Sequence, residues 1–157
     1  MLKISKNLST ILSLALAIFF FLCCVIGLFL LPGLTETLIH MHDNLPGREN
    51  IPQLGRTLSL ICAYCIVLDM MLADILLFCL LLRVRKSEVF TEESVSLIRG
   101  VSWCCLGLCV PFAILGIWFR LSLIVCFMAI FLGICLRVCK NAFEVATEIK
   151  EENDLTI

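Results

Sequence analysis

The chain has 157 residues, of which 61% are hydrophobic and only 16% charged, with a formal net charge of −1 at pH 7. A water-soluble domain this small has too much surface to hide so much apolar side chain, so the composition excludes that class and makes the bilayer the fitting solvent. Lys and Arg nearly balance Asp and Glu, which leaves no basic surface for direct nucleic-acid binding.

Residues 8–31 carry no charge and are long enough to cross a hydrocarbon core, which takes about 20 helical residues. Lys3 and Lys6 precede this run, as in a secretory signal. However, it exceeds the roughly 7–15 apolar residues of a signal peptide, and Leu30-Leu31-Pro32-Gly33 is not a small-residue cleavage site, so a retained first span is expected. Residues 32–56 read as an outer loop broken by Pro32, Gly33, Pro46, Gly47, Pro52 and Gly55, with a turn or two of interfacial helix over 34–41. The second span, 57–82, is interrupted only by Asp69 and Asp74.

Residues 83–99 form the next loop, on the cytoplasmic side. Thr91 is placed to cap a helix there, with Ser94 at its third position, and that helix leads through Val95, Leu97 and Ile98 into the third span. Residues 100–139 carry only Arg120 and Arg137 and are about twice as long as one span needs. A hairpin at Arg120 divides them into spans 100–119 and 121–139, the former holding Pro111 and Gly116. The tail, 140–157, continues the last helix. It sets Glu144, Glu148 and Glu152 on one face and Ala142, Val145, Ala146 and Ile149 on another.

The expected fold is thus all-α: a single integral membrane domain, a four-helix bundle with small residues Gly27, Gly107, Gly116 and Gly133 at helix contacts. Placing the N-terminus in the cytoplasm puts Lys3, Lys6, Arg83, Arg85, Lys86, Arg99, Arg137, Lys140 and Lys150 inside and Arg48, Arg56 and Arg120 outside. Nine against three favours N-in, C-in insertion in a cytoplasmic (inner) membrane.

Asp69 and Asp74 are the intramembrane polar residues. A carboxylate at the centre of a span costs at least ~2.5–3.5 kcal/mol, so it normally faces the bundle and has a partner or a task. Five residues apart on a helix, they point about 140° from one another and form no shared acid pair. Ser102, Ser122 and Tyr64 are candidate partners on the structural reading; proton or cation relay is the functional one.

The eleven cysteines lie within apolar runs and read as packing residues. Cys62-Ala63-Tyr64-Cys65 has redox-motif spacing but sits inside a span, away from the helix N-terminus such a thiolate needs. His40 and His42 with Asp43 have ligand chemistry, yet residues two apart on a helix diverge. No cofactor or metal site is therefore assigned. No phosphate-binding loop, nucleophile elbow or zinc-protease signature occurs, and no enzymatic activity is expected.

Two segments carry a family resemblance. Ser87-Glu88-Val89-Phe90-Thr91-Glu92-Glu93-Ser94 with Leu97-Ile98-Arg99 resembles the loop motif of a bacterial family of small four-span membrane proteins, domain of unknown function 2975. Phe143-Glu144-Val145-Ala146 and Glu151-Glu152-Asn153-Asp154-Leu155-Thr156-Ile157 resemble its C-terminal signature. The resemblance implies motif positions at Phe90, Glu93, Arg99, Glu151, Asn153, Asp154 and Leu155, offered as candidate partner contacts. It also implies genomic company with a small helix-turn-helix regulator, which the membrane protein would hold or release. The alternative is a small oligomeric transporter or channel component that uses Asp69, in which case the chain is a homo-oligomer. A third is an immunity or stress protein acting on the bilayer.

Overall fold

The computed structural model is all-helical, and it describes residues 6–86 and 91–154, with side chains described over 10–86, 91–150 and at 152. Five helices follow in chain order: α1 (Lys6–Asp43), α2 (Gln53–Arg85), α3 (Glu92–Gly107), α4 (Cys109–Leu115) and α5 (Leu121–Asp154). Four stretches are long and apolar enough to cross a membrane: Thr10–Asp43, Gln53–Arg85, Glu92–Leu115 and Leu121–Lys150. The third of these is α3 and α4 together. Along all four, large apolar side chains face outward, Phe29 at 82% exposure and Leu121 at 78% among them. Such faces suit a lipid surrounding, which a helix can enter because its backbone polar groups are satisfied within its own segment.

The helices make an open row, not a closed ring. α2 lies against α1 and α3, α3 against α5, and α4 packs between α2 and α5; of the described helices, α1 packs against α2 alone.

The outer loop is shorter than the sequence suggests. α1 runs straight through Pro32 and Gly33 to Asp43, and only residues 44–52 remain between α1 and α2. Proline removes one backbone donor, which breaks helices in water but is tolerated in a membrane where side chains re-satisfy the backbone. Here the bond lost is the one to the Leu28 carbonyl, and α1 carries that single gap; just beyond it, Thr35 donates its hydroxyl back to the Leu31 carbonyl and Thr37 to the Gly33 carbonyl, both at 2.8 Å. At 1.5 Å per residue this 38-residue helix is about 57 Å long, so it outreaches a ~30 Å core.

The overhanging end is clamped. Asp43 accepts the Ile51 amide at 3.0 Å and the Arg56 guanidinium at 2.6 Å, while Arg56 Nε also donates to the Ile51 carbonyl at 3.2 Å. Arg48 reaches the Trp118 carbonyl at 3.4 Å, and the Phe119 ring meets His42 edge-on at 5.6 Å. Gly55 admits the Trp118 ring: a Cβ there would lie 2.9 Å from it. The α1–α2 hairpin is thereby fastened to the turn between α4 and α5. That turn falls at residues 116–120, where Phe119 N–H bonds the Leu115 carbonyl and Ser122 N–H bonds Phe119, both at 2.8 Å.

Small residues organise the other seams, though not all those expected. Leu106 presses on Gly133, and the buried Ser102 donates to the Gly133 carbonyl at 3.0 Å, joining α3 to α5. Leu76 of α2 lies over Gly100, a contact the sequence reading did not anticipate. Gly27 meets nothing within 4 Å, because α1 has no second neighbour to approach, and Gly116 serves only its local turn against Leu123.

Candidate functional site

The end of the molecule where α1 starts and α5 ends carries a second cluster of polar contacts. Thr91 caps α3: its hydroxyl accepts the Ser94 amide at 3.3 Å and lies 3.0 Å from the Ser94 hydroxyl. The cap starts a helix whose first turns bury Ser94, Val95 and Ile98. Opposite them, α5 continues unbroken beyond its apolar stretch and buries Thr147, whose hydroxyl back-bonds to the Phe143 carbonyl at 2.9 Å. The α3 start and the α5 tail thus form a packed helix pair.

Charged side chains frame this pair. Glu93 forms an ion pair with Arg83, which ties the end of α2 to the start of α3. Arg99 reaches Glu144 at 3.5 Å across the α3–α5 seam, and Lys140 bonds the same carboxylate one turn earlier. Between the helices lies a groove of ≈ 380 Å³ bordered by Glu92, Ser96, Arg99, Glu144, Thr147 and Glu148. Val145 and Ile149, neighbouring positions of α5, are exposed.

Of the residues picked from the sequence, Glu93 and Arg99 therefore lie on one short helical segment, each engaged in an ion pair. Glu151, Asn153 and Asp154 fall in the last turn of α5, with their side chains outside the described residues. Phe90 and Leu155 lie outside the described residues altogether.

Asp69 and Asp74 face different neighbours, as their spacing requires. Asp69 turns toward α3, where the Cys104 thiol hydrogen-bonds to it and a Cβ on Gly107 would lie 3.8 Å from its Oδ1. Its Oδ2 is buried without a partner. None of the expected partners, Ser102, Ser122 or Tyr64, serves it; Ser102 is committed to Gly133. Beside Asp69 the third span continues helically through Leu108, whose N–H bonds the Cys104 carbonyl at 3.0 Å. A cavity of ≈ 420 Å³ there is lined by Cys65, Asp69, Leu72, Gly107, Leu108 and Pro111. Asp74 is 7% exposed and sits on the α1 side of α2, between Ala17 and Phe78.

All eleven cysteines are free thiols. Cys62 is buried inside α2, as a packing residue is, whereas Cys65 is exposed. His40 and His42 stand on the overhanging helix, His40 exposed and His42 buried against Phe119.

Besides Leu76 over Gly100, three features escaped the sequence reading: the Asp43–Arg56 clamp, the burial of Thr147, and Arg137 stacked 4.5 Å above the Trp103 ring. A threonine among the charges of an amphipathic tail was the available signal for the second. The other two join residues far apart in sequence, with no spacing rule to connect them.

Comparison with known families matches the model described as protein of unknown function (DUF2975) over residues 2–157. No curated protein and no solved structure matches the chain.

Proposed function

The chain belongs to the DUF2975 family of proteins of unknown function, and for this member we propose a non-enzymatic role: a multi-pass protein of the bacterial cytoplasmic membrane that docks a soluble partner on the face carrying its termini. The observation that supports the reading is the packed pair formed by the α3 start and the α5 tail, with its charged groove and adjacent exposed Val145 and Ile149. Bare anchoring to lipid headgroups would need only scattered basic residues. Instead, Glu92, Glu144 and Glu148 border the groove with Arg99, so a partner with a basic segment suits it. The partner that the family resemblance implies is a small helix-turn-helix regulator, sequestered at the membrane and released on a signal. The excess of Lys and Arg on this side supports a cytoplasmic orientation.

The test is co-purification of an adjacently encoded helix-turn-helix protein from membranes carrying the full chain, a chain lacking residues 140–157, or the Glu92→Lys, Glu148→Lys double variant. Both altered chains are expected to lose the partner. The double variant keeps the tail's packing, so equal recovery with it refutes docking at this groove.

A second reading has its own support. Freed backbone carbonyls beside an intramembrane carboxylate are one way transporters hold a cation, and Pro111, which has no N–H, deprives the Gly107 carbonyl of its helical donor next to Asp69. Under that reading the chain is a small transporter or channel component, and Asp69→Asn abolishes its activity. Under the docking reading Asp69→Asn leaves co-purification unchanged.

A further inference from the structure

Because α1 packs against no helix but α2 among the described residues, a groove opens along α2 between α1 and α3. It has a volume of ≈ 590 Å³, and its walls include Ala17, Phe20, Leu77, Val101 and Cys105. Asp74 lies in its floor. Only 7% of that residue is exposed, and no hydrogen bond or ion pair reaches its carboxyl among the described residues. Among the described residues of α1, the Cys24 thiol is near enough to feel it. A buried carboxyl inside a span, with no donor, is a costly arrangement that asks for a partner.

Elsewhere in the same chain a cation has the complementary deficiency. Arg137 of α5 is exposed, stacks on the exposed Trp103 of α3, and has no acidic partner among the described residues. The unpaired carboxyl and the unpaired guanidinium lie at one height. Gly100 faces Leu76 and Gly107 faces Asp69, so Trp103, between the two glycines, is level with the stretch of α2 that contains Asp74. Val101 and Cys105, which flank Trp103 in sequence, line the groove over Asp74. Copies of one chain insert into a membrane with one orientation, so equal height in one copy means equal height between neighbours.

We infer that the protein self-associates laterally in the bilayer, the Arg137 guanidinium of a second copy entering the α1–α3 groove to pair with Asp74. Trp103 travels with it as a flat apolar shoulder against the groove's rim. Arginine suits this task better than lysine, because its planar fork pairs both carboxylate oxygens and is less strongly hydrated. One contact satisfies two charges that each copy leaves unpaired, which neither an acyl chain nor a neutral lipid achieves. The inference is independent of the docking reading, since it uses neither the groove at the termini nor residues 140–157.

The experiment co-expresses two differently tagged full-length copies and measures their co-capture from lipid nanodiscs or native membranes. Wild type is expected to capture wild type. Asp74→Asn and Arg137→Gln, both close in size to the native residues, are each expected to weaken capture about tenfold or more, as loss of one partner of a buried charge pair does. A copy carrying Asp74→Arg should not capture itself, nor should one carrying Arg137→Asp. Mixed together, those two are expected to capture each other, because every groove then meets an opposite charge. Three results overturn the proposal: a monomeric wild type, capture indifferent to both Asp74→Asn and Arg137→Gln, or no recovery in the mixed pair when each reversed copy inserts stably. If a reversed copy fails to insert, the two isosteric variants alone decide. Displacement of the second copy by a lipophilic amine added to the nanodiscs supports the charge pairing, since the amine competes for Asp74.

Discussion

Replacing Gly133 by isoleucine attacks the seam that holds α3 to α5. A Cβ at this position would come 2.9 Å from Leu106 Cγ and Cδ2 and 3.5 Å from the Leu106 amide nitrogen. Carbon atoms attract best at about 3.5–4.0 Å, so the first added atom alone is ~0.6 Å too close. The Leu106 side chain can rotate away from one methyl group, but three further carbons leave α5 no course except to retreat. Overpacking of this kind costs about 1–3 kcal/mol, and the value here should lie near the upper end.

The companion variant, Ser102→Ala, removes only the hydroxyl that donates to the Gly133 carbonyl at 3.0 Å. Interhelical hydrogen bonds in membranes average about 0.6 kcal/mol and reach about 1.7, so this loss should be the smaller one. Equilibrium unfolding in mixed micelles or steric trapping in bicelles reads both values. Gly133→Ile as stable as wild type, or less costly than Ser102→Ala, would refute the close-packed seam.

Thr91→Ala removes the acceptor for the Ser94 amide; the cap is worth about 1 kcal/mol, so amide exchange in the first turn of α3 should accelerate about fivefold while the protection of α2 stays unchanged. Arg56→Gln breaks the link from Asp43 to α2; limited proteolysis within residues 44–52 should speed up, and Lys140→Gln, at the opposite end, should leave it unaffected.

Much of the architecture was legible from the chain because the bilayer imposes few rules and strict ones. Apolar length counted the spans, and Arg120 at the middle of a double-length run lies in the turn that the fold places at residues 116–120. The cap at Thr91 was legible too, since a threonine before acidic residues and an apolar run has a local cause. Pro32 and Gly33 misled for the same reason: their breaking power is a property of helices in water, and α1 continues through them. At the candidate docking site, Glu93 and Arg99 could be singled out only as motif positions. That they are held by Arg83 and Glu144 depends on helix pairing.

The sequence by itself determined that Asp69 and Asp74 share a helix and cannot share a site, and that four apolar stretches need lipid around them. Only the tertiary structure decided what each carboxyl meets: Cys104 and Gly107 for Asp69, an open groove for Asp74. It also decided that the bundle is an open row with α1 at one edge. The physical reason is that apolar periodicity encodes burial against any apolar surroundings, and a lipid chain is as apolar as a leucine. Which faces meet protein is set by small-residue packing and single polar contacts between helices, such as Ser102 on Gly133, and these have no periodicity to read.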